Sequence, residues 1–201
     1  FHKDNNAEVT LYLTKVDDAR AYGCVELAGD NSVKSFLEKM ENPVSNLINA
    51  GCYIFNRNII DSIPKDKVVS VERDTFPSLL NAGTKVYGFL DNSYWLDIGT
   101  PAALVKAPAD LVTGVIKSSA TLEHTGDKII SSSAVIDSSA VINHGTVIEG
   151  EVVVESNTQI SGSIIGKGAK IGKNCRIIDS IIAPGTQIDA GMVIISNYLG
   201  F

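Results

Sequence analysis

Six aliphatic residues stand six apart along this chain: Ile130, Ile136, Ile142, Ile148, Val154 and Ile160. The phase then slips by one residue to give Ile165, Ile171 and Ile177. It slips once more to give Ile182, Ile188 and Ile194. A period of six fits neither an α-helix nor a hairpin meander. It fits a solenoid whose short parallel strands bend at regular corners. In such a coil the aliphatic points inward and stacks on its equivalent one turn away. Two residues before most of these positions stands a small or medium side chain: Ala134, Ala140, Thr146, Val152, Thr158, Ala169, Cys175 and Thr186. Residues of that size suit the narrow space inside a corner. Glycine and Asn cluster between the aliphatics (Gly145, Gly162, Gly168, Asn174, Gly185), where a corner needs positive φ or little bulk.

The pattern resembles the left-handed β-helix of hexapeptide-repeat proteins, with three faces to a coil. The hand is implied by that resemblance, and twelve rungs imply four coils. Such solenoids occur in acyltransferases, as appendages of other enzymes and in structural subunits, so the repeat alone names no activity. His144 is the only histidine of the solenoid. Acyl transfer would need it as general base. No loop excursion interrupts the repeats to build a pocket over it, so it reads as a solvent-facing corner residue. His2 and His124 read as surface residues, without metal-ligand spacing around them.

Residues 1–113 carry a different pattern, that of mixed α/β structure. Strands are expected at 8–16, 22–27, 32–37, 49–55 and 85–90. A short helix over 58–63 stops at Pro64. A second, over 71–81, is capped by Ser70, and a third runs from Thr100-Pro101 to about Val112. A polar connector over 114–128 separates this half from the solenoid at 129–201. Hydrophobic residues make up 44% of the 201, enough for a real core. The net charge is −6 with no run of Lys or Arg, which argues against nucleic acid and anionic membranes as partners. No apolar run approaches the roughly 20 residues of a membrane span. Cys24, Cys52 and Cys175 are odd in number and lack metal spacing. They read as small buried hydrophobes in a reducing, cytoplasmic setting.

The first half also holds an ordered set of short motifs: Tyr22-Gly23-Cys24-Val25, Phe36-Leu37-Glu38-Lys39, Asn46 to Phe55 with its Asn49-Ala50-Gly51, Ser70 to Pro77, Val86-Tyr87-Gly88-Phe89 and Tyr94 to Pro101. In this order and spacing they resemble the C-terminal half of the catalytic domain of sugar-1-phosphate nucleotidyltransferases. The resemblance is best to mannose-1-phosphate guanylyltransferases, many of which end in a hexapeptide β-helix. It implies a Rossmann-like α/β half-domain before the solenoid. It also implies that a sugar 1-phosphate attacks the α-phosphate of a nucleoside triphosphate and pyrophosphate leaves. In such chemistry the protein mostly positions and neutralises.

Residue by residue, Asp97 matches the family's Mg²⁺ ligand, a carboxylate suited to a hard cation. It follows a strand-like Tyr94-Trp95-Leu96. Lys39 matches the lysine that contacts the sugar phosphate, and Glu38 the carboxylate that accepts from sugar hydroxyls. Gly23 matches a glycine whose backbone approaches the sugar, and Asn49 and Glu72 match positions lining the sugar pocket. The family usually has Pro after the Lys; Met40 here implies a looser loop. The family's GGxGTRL-type triphosphate loop, its following lysine and its Gly-Asp pair do not occur in these 201 residues. The chain therefore reads as part of something longer, inactive alone, with strand edges left open that call for a partner or self-association into a homo-oligomer. Two alternatives stand beside this one: a non-catalytic regulatory or assembly subunit of the same family, and an acyltransferase acting through His144.

Overall fold

The structure, a computed structural model, describes residues 1–116 and 126–201; His124 and most of the connector lie outside the described residues. Packing divides the chain into two compact units, 1–95 and 96–201.

The first unit is built on one five-stranded sheet in the order β3-β2-β4-β1-β5. Its strands are β1 (Val9–Lys15), β2 (Gly23–Leu27), β3 (Val33–Glu38), β4 (Leu47–Phe55) and β5 (Val86–Leu90). β1 pairs antiparallel with β4 and parallel with β5. One face of the sheet presents Val9, Leu11, Leu13, Val25, Phe36 and Val86. On it pack Ile59 of α1 (Arg57–Ser62) and Phe76 of α2 (Phe76–Asn81). Phe76 is fully buried, its ring 5.0 Å from that of Phe36 and 5.2 Å from that of Tyr53. The edge strand β5 is partly covered: the Gly88 N–H donates to Asn31 O at 2.9 Å, and Ser32 bridges Tyr87. The turn between β2 and β3 thus satisfies backbone groups that an edge would expose.

One predicted element changes form. Where a single helix over 71–81 is expected, residues Val71–Thr75 make a π turn that leads into α2. Ser70 caps it as expected, accepting from the Arg73 N–H. Pro77 supplies the reason. It has no N–H to donate four residues back, and its ring would crowd the carbonyl there, so the turn before it widens.

The second unit opens with α3 (Pro101–Val112), whose N-cap Thr100 accepts from the Ala103 N–H. It continues as a parallel β-solenoid of about four turns over 128–199, built from three sheets of stacked short strands. Ten of the twelve repeat aliphatics lie at 6% exposure or less. Ile130 and Ile136, expected inward, are less covered, and Ile130 is 38% exposed. They belong to the first coil, where no earlier turn stacks on them. Val153 pairs with Val135, eighteen residues back, and with Lys170, seventeen ahead. Both phase slips fall at one corner, between Ile160 and Ile165 and between Ile177 and Ile182; the last coil repeats the short step from Ile194 to Leu199. A buried hydroxyl ladder braces this corner. Ser163 N–H faces Thr146 Oγ1 at 3.4 Å, Ser180 N–H donates to Ser163 Oγ at 3.1 Å, and Asn197 N–H to Ser180 Oγ at 3.1 Å. These bonds pair backbone donors that the interior would otherwise strand.

Only the first coil keeps the longer corner, through His144-Gly145. Gly145 has φ +74°, and a methyl there would meet Ala109 Cα of α3 at 2.4 Å. The glycine therefore serves twice, giving a left-handed turn and letting the helix backbone approach. Thus α3, read from sequence with residues 1–113, packs on the solenoid.

Candidate functional site

Within the first unit, the motif residues Gly23, Glu38, Asn49 and Glu72 lie on or beside β2, β3 and β4. Gly23 and Glu38 are direct partners across the β2–β3 hairpin. A side chain at Gly23 would place its first carbon 2.7 Å from Phe36 Cζ and 3.1 Å from Glu38 Oε2. The missing side chain makes room for the Phe36 ring and the Glu38 carboxylate to lie against the Gly23 backbone. Glu38 itself is only 11% exposed, and its Oε2 is buried without any hydrogen-bond partner among the described residues. A buried carboxylate oxygen left unsatisfied costs on the order of 1–3 kcal/mol or more. A ligand hydroxyl that donates to it recovers that cost.

Lys39 follows with φ +52°, a left-handed conformation that is uncommon for a long side chain. Its N–H donates to Tyr22 O at 3.1 Å, which fixes the turn, and Nζ stands 3.6 Å from Glu38 Oε1. The ammonium is well exposed. Whatever the loop after Met40 does, the Lys39 backbone is anchored.

Asn49 and Glu72, twenty-three residues apart, meet: Asn49 Nδ2 donates to Glu72 Oε1 at 2.7 Å. The π turn before Pro77 carries Glu72 to this position. Tyr53 belongs to the same cluster, its hydroxyl accepting from Asn49 Nδ2 at 2.6 Å. Burial raises the Tyr53 phenol above its ordinary value; the Asn49 bond lowers it somewhat, and the Glu72, Glu38 and Cys52 charges raise it. The phenol is therefore a proton-bearing donor at neutral pH. Sequence reasoning passed over Tyr53, because an aromatic in an apolar strand reads as core. Trp95 was also missed. Its Nε1 donates to Ala50 O at 3.2 Å, and its ring meets Tyr22 edge-on at 5.7 Å. Side chains rather than a backbone ladder tie this stretch, and the strand-like Tyr94-Trp95-Leu96 forms no strand. Cys24 and Cys175 are buried as expected, but Cys52 is exposed.

Asp97 belongs to the second unit and is exposed. A methyl at Gly99 would sit 3.1 Å from Asp97 Oδ2, so the glycine keeps this carboxylate open. Among the described residues no group of three or more His, Cys, Asp or Glu gathers to cage a metal. A single open carboxylate suits Mg²⁺, which keeps several waters and binds through one or two carboxylates plus substrate phosphates. His144 lies in an exposed corner as predicted, its backbone N–H bonded to Asp127 Oδ2 at 2.8 Å. No loop excursion interrupts the repeats over it, as expected, but a groove forms beside it in another way. α3 supplies a wall, and a groove of about 880 Å³ runs between the helix and the short-corner column, past Gly162, Asp179 and Ser196.

Comparison with known proteins identifies the family of each half. The family model described as nucleotidyl transferase matches residues 1–114, and that of a GlmU-like C-terminal hexapeptide matches 107–198. A mannose-1-phosphate guanylyltransferase of Mycobacterium tuberculosis is 50% identical over 135 residues, covering 67% of this chain and 38% of the relative. A mannose-1-phosphate guanyltransferase of Yarrowia lipolytica is 42% identical over 102 residues, 50% of this chain and 28% of its own. The Saccharomyces cerevisiae mannose-1-phosphate guanyltransferase is 32% identical over 137 residues, 67% and 37% respectively. The aligned region thus spans well under half the length of each of these relatives.

Proposed function

Since the chain belongs to the nucleotidyl transferase family, we propose that the protein carrying it moves a nucleotidyl group from a nucleoside triphosphate to a sugar 1-phosphate. GTP and mannose 1-phosphate are the proposed pair, giving GDP-mannose and pyrophosphate, because the relatives bear that name. The observation that carries the reading is the buried, unpartnered Glu38 Oε2 beside a glycine, with the Lys39 ammonium next to it. A carboxylate shielded from water accepts from sugar hydroxyls, and an exposed ammonium steadies a phosphate dianion as a point charge. Together they orient the phosphate oxygen for attack, and positioning supplies much of the acceleration in such transfers. Asp97 would hold Mg²⁺, which when bound neutralises charge on the triphosphate. The triphosphate loop is absent from these 201 residues, so this stretch by itself is proposed to bind sugar phosphate without turning over.

Full-length protein incubated with Mg²⁺, mannose 1-phosphate and each triphosphate in turn should release pyrophosphate with at least one pair. No release with any pair removes the proposal. The reading also includes work in the cytoplasm and self-association into a homo-oligomer. Val193 and Ile195 are exposed on the outer side of the solenoid, as an association surface would be. A monomer whose sedimentation is independent of concentration would count against it. No helix among the described residues is long and apolar enough to cross a membrane.

A further inference from the structure

One of the three solenoid sheets is poor in charge on its outer side. It is made by Val141–Asn143, Gln159–Ser161, Arg176–Ile178 and Val193–Ile195, stacked coil on coil. Each strand buries its middle isoleucine and turns the two flanking residues outward. Two outward rows result, Val141, Gln159, Arg176 and Val193 in one, Asn143, Ser161, Ile178 and Ile195 in the other. Among these eight residues Arg176 alone is charged. Val141 is 52% exposed, Val193 62% and Ile195 52%. Depletion of charge around uncovered aliphatics is the composition of an interface core rather than of a solvated face.

The placement of these side chains is uneven in a useful way. Ile178, Val193 and Ile195 gather in the third and fourth coils. Arg176 has a counterpart of opposite sign in its own coil, Asp179, exposed at the corner that follows Ile178. The two stand roughly 10 Å apart along the backbone, one on each side of the sheet's midline. Neither is in an ion pair among the described residues.

Two copies laid face to face on this sheet have two twofold arrangements. With the axis along the solenoid, each coil meets its own equivalent and the rows exchange. Val193 then lies over Ile195 of the second copy, and Arg176 over Ile178 with Asp179 beside it. With the axis along the strands, coil order reverses. Arg176 then faces Gln159, Asp179 faces Gly162, and the aliphatics of the fourth coil are spread over Val141 and Asn143. Only the first arrangement brings unlike charges together, twice, and pools the aliphatics.

We propose that this sheet is the contact between two copies of the chain, related by a twofold parallel to the solenoid axis and registered by reciprocal pairs of Arg176 with Asp179. This rests on the self-association reading above and names its surface. Four strands about 4.8 Å apart make a small face, so the contact is of the weak, concentration-dependent class. In such a contact the charge pairs fix register more than strength.

Sedimentation of the full-length protein over a concentration series tests this. Arg176→Asp turns both pairs into Asp against Asp, and Asp179→Arg turns both into Arg against Arg. Each variant alone should associate with a dissociation constant raised on the order of tenfold or more. Mixing the two variants should restore assembly, because in a mixed pair the introduced Asp meets the introduced Arg and the two native residues meet each other. The chain carrying both substitutions should assemble as well. Reversed coil order gives a different result: Asp179→Arg assembles like the wild type and mixing rescues nothing, which overturns the proposal. Wild-type association of both single variants overturns it too. Should either variant fold poorly, Ile195→Lys must weaken assembly, and unchanged assembly is equally fatal. A wild type that stays monomeric at every concentration removes the self-association reading itself. An assembling wild type indifferent to these substitutions removes only this face, so the two failures are distinguishable.

Discussion

Glu38 shows what a single side chain can reveal when its surroundings are counted. Its carboxylate is sheltered, one oxygen has no donor, and the neighbour opposite is a glycine. In the free protein this arrangement is a cost, because a desolvated charge is only partly compensated by Lys39 at 3.6 Å. Glu38→Gln should therefore leave the thermal midpoint unchanged or raise it, while KM for the sugar 1-phosphate climbs ten- to a hundredfold, the range for hydrogen bonds to charged groups. Calorimetry beside steady-state kinetics checks both halves; a midpoint that falls along with affinity would mark Glu38 as structural. Glu38 and Lys39 were legible in the sequence only through their match to the family's motif; as an adjacent acid and base at a strand end they read as an ordinary surface pair. The bond between Asn49 and Glu72 was not, since it depends on a bulge and a π turn that bring together residues far apart. Tyr53 was hidden for another reason: its ring does pack in the core, and only its hydroxyl belongs to the site.

At the level of elements, periodicity placed every strand and helix of the first unit to within a few residues, because alternation and caps are local. What it missed were the places where tertiary packing changes local geometry. Pro77 was visible, yet its effect on the preceding turn depends on the demand that Phe76 be buried. Likewise the docking of α3 could not be read from either half alone. Gly145 tests that docking. Gly145→Ala meets both a positive φ and the Ala109 backbone, whereas Gly168→Ala, at φ +71°, meets open space. The second should cost about 1 kcal/mol for conformation alone. The first should cost on the order of 3 kcal/mol, because backbone must move. Chemical denaturation of the two variants side by side measures the difference, and equal costs would mean that α3 does not constrain the corner. The same corner has a pH dependence. The His144 backbone N–H holds the Asp127 carboxyl below its usual range, as Ser139 does Asp137. A carboxylate held low when folded contributes stability above its unfolded value near pH 4, lost as the pH falls through the folded value. Acid should therefore loosen the first coil first, and Asp127→Asn should remove part of that dependence in a pH series of unfolding midpoints.

For the molecule as a whole, a solenoid is held together by neighbours only, so its stability is distributed along one axis. Interior coils ladder on both sides, while the first ladders on one side. Hydrogen exchange should be slowest for amides between residues 146 and 182, and faster for the strand around Ile130. Uniform protection from Ile130 to Ile182 would contradict this. The first unit has a different economy, one sheet face closed by Phe76 and two short helices. The change of period from two to six marks the start of the solenoid, whereas the packing division falls earlier, after Trp95, because α3 joins the second unit.

The short corner has one further meaning. The solenoid sheds a residue at the same bend in each of three coils, yet every strand keeps its inward and outward sides. A residue gained or lost within a strand would turn that strand inside out. At this bend it changes only the tightness of the curve, and everything downstream stays in frame. The corner is thus a splice point, the place where length can vary or a loop can be grafted without rewriting the rest of the coil.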